Sequence, residues 1–312
     1  MLRVKSLVLT ILFILPATVS AVDWQQPKLV SNVWKISKAG QPDSYLLGTI
    51  HVGRERAALS QDGRDLMAKA DKLVTEVDMQ PSTAEEVRQA GVLIFKMAAE
   101  KPLRQLLGGQ DFARLQQLFA RRKETRNLAD SIDGLKPWAV VMLSSNVLPE
   151  GYSGSTGVDV LMTKYAMQNG KRRGSLERMD DSLAAFEKLP DGLSLSLLRS
   201  GIKYNDENEE DIRLLHSAYE KGRYADLPER MRLSVYTGRL SAKDEKAVAN
   251  WMVEDVMVAR NRSWLPKIKA ESAKQRTLFA VGIAHLMTER GLIAELRKEG
   301  YSVTPERKRL MW

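Results

Sequence analysis

The chain has 312 residues, 44% of them hydrophobic and 28% charged, enough apolar sequence to bury a substantial core and too much for an intrinsically disordered chain. It contains no cysteine, which excludes disulfides, thiol catalysis, cysteine lipidation and thiolate metal sites. The formal charge is +9, yet the basic runs at 121–123, 171–173 and 307–309 are short and not interleaved with aromatics, so no nucleic-acid track is expected. Peripheral contact with an anionic membrane is compatible with that charge, although a solvated face is the simpler reading of each run.

Residues 1–21 carry Arg3 and Lys5, an apolar core at 7–15, Pro16 and the small residues Val19, Ser20 and Ala21. This is the build of a cleavable secretory signal, and its core is short against the roughly 20 residues that a spanning helix needs. The expected mature chain is therefore 22–312, periplasmic or secreted. Residues 33–48 read as a strand, a turn through Gly40 and Pro42 and a second strand that leads to His51, a hairpin. Ser60 then caps a helix with Leu66, Met67 and Ala70 on one side, and a strand at 72–79 holds Glu76.

From 81 to 238 the pattern is mainly helical, an insertion opened by a capping box from Thr83 to Glu86. Pro137 suits a first helical turn, Gly170 stops a helix, and 172–177 is a short strand. A long helix from 242 is bent or ended near Pro266. A strand at 277–285, a helix at 287–300 stopped by Gly300, and a strand at 301–306 complete the chain.

Two of the three histidines stand in the same phrase, glycine three residues before histidine at the end of an apolar strand: Gly48 with His51, and Gly282 with His285. Strand, G-x-x-H, helix, strand and glutamate occur in that order twice, ending at Glu76 and at Glu306, with unequal spacing, which makes a weak internal duplication. The expected fold is α/β with α+β character: a central mixed sheet from two similar strand-helix-strand units and a large helical insertion over the site, in one domain spanning 22–312. Such units give neighbouring parallel strands with both histidines at their carboxyl ends, where open α/β sheets hold their sites.

Two imidazoles and the Glu76 carboxylate, with one position open for water, form the pattern of a catalytic divalent metal site; the alternative is two satisfied histidines capping strand ends. Asp78 would share a side with Glu76 if the strand ran through both. Arg260 lies on a helical stripe with Val253, Val256, Met257 and Trp264, and a buried guanidinium needs an anion, either a protein carboxylate or a substrate. Asp159 reads as the third residue of a capping box opened by Thr156, and Glu177 as a strand-end acid. His216 shares a face with Ile212, Leu215 and Tyr219 and belongs to the core. Nothing resembles a nucleophile elbow, a phosphate loop or a dinucleotide fingerprint, and nothing sets an oligomeric state.

The segments "YLLGTIHVG", "LVTEVDM", "KPWAVVML", "GVDVLMTKYAMQNGKRRGSLE", "ARNRSWLPKI" and "FAVGIAHLMTERGLIAELRKEGYSV" together resemble the TraB/GumN family of bacterial exported proteins, related to the animal Tiki metalloproteases. The resemblance implies divalent-metal hydrolysis, with His51, His285 and Glu76 as ligands, and it raises Asp159, Glu177 and Asn261 as pocket residues beside Arg260. Ser182 stands where family members often carry glutamine, a departure that bears on substrate contact rather than on the metal. The resulting expectation is an exported hydrolase of peptide or protein substrates in the cell envelope, using manganese, cobalt or zinc. Water would be the nucleophile, Arg260 would stabilise the oxyanion or hold a substrate carboxylate, and Asp78 or Asp159 would be the base. The rival expectation is a non-catalytic envelope protein that captures a peptide or other ligand in the same pocket.

Overall fold

A computed structural model describes residues 27–78, 96–233, 238–306 and 310. The expected signal at 1–21, the expected capping box from Thr83 to Glu86 and the basic run at 307–309 lie outside the described residues.

The described strands are, in chain order, β1 (Val33–Ser37), β2 (Ser44–Thr49), β3 (Gly53–Arg54), β4 (Lys72–Thr75), β5 (Tyr152–Ser153), β6 (Arg172–Ser175), β7 (Thr277–Gly282) and β8 (Ser302–Glu306). The described α-helices are α1 (Gln61–Lys69), α2 (Leu103–Leu107), α3 (Gly109–Arg121), α4 (Pro137–Ser144), α5 (Val158–Gln168) and α6 (Met179–Glu187). They continue with α7 (Asp191–Lys203), α8 (Asn205–Glu220), α9 (Leu227–Leu233), α10 (Ala242–Trp251), α11 (Ala259–Lys274) and α12 (Leu292–Lys298).

The main sheet has the order β6-β4-β7-β2-β1-β8. Its first four strands are parallel, whereas β1 is antiparallel to both β2 and β8. β2 and β7 are buried along their whole lengths, as continuous apolar runs must be when helices cover both faces of a parallel sheet. The hairpin of β1 and β2 and the Ser60 cap of α1 form as their residues suggest, with Ser60 Oγ accepting from the Gly63 amide at 3.1 Å.

The two strand-helix-strand units interleave instead of lying side by side. β7 sits between β2 and β4, and β8 lies at the far edge beside β1, so the strands of one unit are not neighbours. What the sheet makes adjacent is the pair of G-x-x-H strands, with Gly48 opposite Val281 and Thr49 opposite Gly282. Gly48 serves this contact: a Cβ there would lie 2.7 Å from Ile283 Cγ1 and 2.8 Å from Leu286 Cδ1, so only glycine lets the second motif's turn settle on the first motif's strand.

The insertion is mainly helical among its described residues, but it also supplies β6, which closes one edge of the main sheet. Pro266 does not end the long C-terminal helix, since α11 continues past it to Lys274. The departure from α-helical bonding lies upstream, in π-helical turns at Met252–Val258 between α10 and α11. The strand at 277 stops at Gly282, and α12 begins only at Leu292, because a turn through Thr288, whose φ is 72°, intervenes.

His216 lies in the core beneath β5, its ring edge-on to Tyr152 at 5.0 Å. Burial pushes its imidazole below the ordinary value, against the pull of Glu220, whose Oε2 is 3.2 Å from Nδ1. The unfolded chain takes a proton at this residue near pH 6.5 and the folded chain only at lower pH. Stability from this group is therefore fully present above about pH 6.5 and is lost as pH falls below it. In urea unfolding at about pH 7.5 and 5.5, the stability gap between wild type and His216→Gln should narrow at the lower pH, and an unchanged gap would contradict this account.

Candidate functional site

Because β6, β4, β7 and β2 run parallel, the chain leaves all four at the same edge of the sheet. His51 follows β2, Glu76 follows β4, Glu177 follows β6, and His285 sits on a single 3-10 turn, Ile283–Leu286, after β7. α11 crosses this edge and brings Arg260, Asn261 and Trp264, all buried on one face.

His285 is fully buried, with the Trp264 ring 4.4 Å from its own. Asn261 donates its amide to the carbonyls of His285 (3.4 Å) and Arg290 (3.3 Å), which turns its side-chain oxygen toward His285 Nδ1 at 2.8 Å. Nδ1 must then carry the proton, and the neutral ring presents Nε2 as its basic atom. Burial holds His285 down to about 3, with Arg260 and His51 adding to the effect and Glu76 opposing it. His51 is held likewise on its Nδ1 side, 3.1 Å from Asp159 Oδ2. Burial works against its protonation, but the Asp159 charge and hydrogen bond, with Glu76 behind them, raise its pKa overall.

Glu76 Oε1 accepts the Gly282 amide at 2.6 Å and lies 3.8 Å from His285 Nε2, while Oε2 accepts from Arg260 Nη2 at 2.7 Å. Burial alone would raise this carboxyl, yet the Arg260 guanidinium, foremost, and the hydrogen bond from the Gly282 amide hold it at about 2. Glu177 takes the other side of the same guanidinium, accepting from Nη2 at 2.6 Å and Nε at 3.1 Å, and its second oxygen accepts the Trp264 indole N–H at 2.9 Å. Arg260 also lies 4.6 Å over the Trp264 ring, and its Nη1 is 3.4 Å from His285 Nε2. The anion expected for the Arg260 stripe is thus two protein carboxylates.

Asp78 departs from the pattern. β4 ends at Thr75, whose hydroxyl donates to the Val77 carbonyl at 3.0 Å, so strand alternation does not extend to Asp78; it pairs with Arg173 at 2.9 and 3.1 Å. Asp159 is not part of a capping box, since Thr156 donates its hydroxyl to Ser153 O at 3.0 Å and the cap of α5 is Gly157. A Cβ at Gly157 would stand 2.6 Å from the His51 carbonyl, so the glycine lets the start of α5, which carries Asp159, press against His51. Glu306, the second unit's counterpart of Glu76, lies away from the site and meets Lys69 at 3.7 Å. Ser182 is buried on α6. Residue-by-residue reading missed Asn261, which entered only through the resemblance, and the indole bond of Trp264, although both are within one turn of Arg260.

The sequence pattern of the TraB/PrgY/gumN family matches residues 32–305. The chain belongs to this family. The family pattern embraces every residue placed at the sheet edge above, from His51 to His285. The chain is also similar to a protein described as "Metalloprotease TIKI homolog" from Amphimedon queenslandica, with 22% identity over 88% of this chain, and it spans 61% of that relative's length. No solved structure matches it significantly.

In this family member the donor types fit a divalent ion in kind: two imidazoles tied at Nδ1 to an outer oxygen, as metal-bound histidines commonly are, and a carboxylate. Among the described residues no three His, Asp or Glu side chains close into a cation site, and the Arg260 guanidinium bonds Glu76 and meets His285 Nε2.

Removing that guanidinium leaves two buried carboxylates without a counter-charge. Arg260→Met should cost about 3–5 kcal/mol in chemical unfolding, and the double variant R260M/E177Q should recover part of the loss. Equal losses in both would show that the pairing with Glu177 carries little of the energy.

Proposed function

We propose that this protein is an exported metal-dependent hydrolase acting on peptides. The observation that carries the reading is the meeting of His51 and His285 at the ends of adjacent parallel strands, each Nδ1 held by an outer oxygen, with Glu76 beyond them on the next strand. The name of the Amphimedon queenslandica relative, a metalloprotease homologue, and the signal-like residues 1–21 support it.

His51, His285 and Glu76 would hold the ion, and manganese, cobalt or zinc suits nitrogen and oxygen donors. Such an ion supplies Lewis acidity and lowers the pKa of water. Asp159 and Asn261 fix the Nδ1–H tautomer of the two rings, so that Nε2 is the ligating atom of each. Arg260, anchored by Glu177 and Trp264, keeps positive charge at the crevice, where it stabilises a developing oxyanion. Asp159 Oδ1 is buried without a hydrogen-bond partner among the described residues, which makes it the carboxylate oxygen to receive a proton.

A second reading, capture of an envelope peptide without turnover, is favoured by one observation: Arg260 already neutralises Glu76 without a metal ion. One comparison separates the two. On purification without chelator, about one divalent ion per chain should be found by mass spectrometry, and it should be lost in folded His51→Ala and His285→Ala variants. Peptide cleavage should stop on chelation and return with manganese, cobalt or zinc. Peptides that bind but stay intact, with no metal taken up, would overturn hydrolysis in favour of capture.

A further inference from the structure

Beside His51 lies a small cavity of about 20 Å³. Its walls are apolar, with Leu215 from α8, Leu227 and Met231 from α9, and Ile283 from the turn that carries His285. The wall supplied by Tyr219 is held in place, because its hydroxyl donates to the Gly48 carbonyl at 2.7 Å and accepts from Asn32 Nδ2 at 2.9 Å. Thr49 lines the same cavity at 1% exposure, and its hydroxyl has no hydrogen-bond partner among the described residues.

A hydroxyl buried in this way carries a desolvation cost that a bound hydroxyl would relieve. Space of this size accepts about one small group, a methyl or a hydroxyl. Larger side chains would have to displace Met231 or Leu227, both at or below 2% exposure.

We propose that this cavity is a substrate pocket for the side chain next to the hydrolysed bond, and that it selects serine first and alanine second. This rests on the peptide-hydrolase reading of the adjoining histidines. Serine fills the space and exchanges a hydrogen bond with Thr49; alanine fills it and leaves Thr49 unpaired. Valine and anything larger overfills it. Discrimination of this kind follows from leaving a buried polar group unmatched, and from excess volume against well-packed walls.

The test uses the full mature chain loaded with manganese, cobalt or zinc, and a peptide set in which serine, alanine, valine, leucine or phenylalanine is placed on each side of the cleaved bond. On one side of that bond the wild type should cleave serine peptides fastest, alanine next, and valine about tenfold more slowly than alanine. Thr49→Val should invert the order of serine and alanine, and Met231→Ala should raise cleavage of the valine and leucine peptides severalfold. Cleavage that is indifferent to these residues, or a profile unmoved by both substitutions, overturns the pocket, leaves the hydrolase reading standing and assigns the cavity to a single water on Thr49. If no peptide is cleaved, the hydrolase reading fails, and the pocket is judged by fluorescence anisotropy with the same peptides. The same order of affinities, inverted by Thr49→Val, then supports it, and equal affinities overturn it.

Discussion

The centre of this protein depends on one buried cation. Arg260 is 5% exposed, and a guanidinium can be taken that far from water only if anions meet it in good geometry. Glu76 and Glu177 do so from the ends of β4 and β6, and these two strand ends are themselves joined, the Glu177 amide donating to the Glu76 carbonyl at 2.9 Å. The ion-pair network therefore ties α11 to two neighbouring strands at once. Asn261 and Trp264, on the same face of α11, are positioned by this docking, and through them so is His285.

The second constraint is steric. Two G-x-x-H phrases can act together only if their strands are adjacent and the turn after one can rest on the other. Parallel pairing of β2 and β7 meets the first condition, and the bare Cα of Gly48 under Ile283 and Leu286 meets the second. A further close approach, at Gly157, brings Asp159 to His51. The repeated histidines end with the same arrangement, Nδ1 on an outer oxygen, although one partner is a carboxylate on α5 and the other an amide on α11. The two phrases thus match at their histidines, while the second glutamate, Glu306, pairs with Lys69 instead of joining them.

Arg260 also explains why a single chain supports two readings of its site. The guanidinium supplies Glu76 with a counter-charge that a divalent ion would otherwise provide, so the crevice is electrostatically settled as it stands. The same positive charge, anchored from behind by Glu177 and Trp264, is what an oxyanion would meet. Which of these uses prevails is a matter of whether an ion enters, not of how the fold is built.

Local order was legible in the amino-acid sequence. The β1–β2 hairpin, the Ser60 cap, the Gly170 stop and the apolar strands β2 and β7 depend on neighbours within a turn or two, and they could be read from spacing alone. His216 followed from the helical face it shares with Ile212 and Leu215. The repeated G-x-x-H marked His51 and His285, and the apolar stripe running from Val253 into α11 stated that Arg260 would need an anion. Only the tertiary structure decided which anion it was, that Asp78 turns to Arg173 while Glu76 turns inward, that Asp159 serves His51 instead of a helix cap, and that the two units interleave. These outcomes join residues more than 80 positions apart, Arg260 with Glu177 at 83 and His51 with Asp159 at 108. Spacing along the chain carries no record of such pairs, because strand order and close backbone approach, not sequence distance, determine which charges share a buried edge.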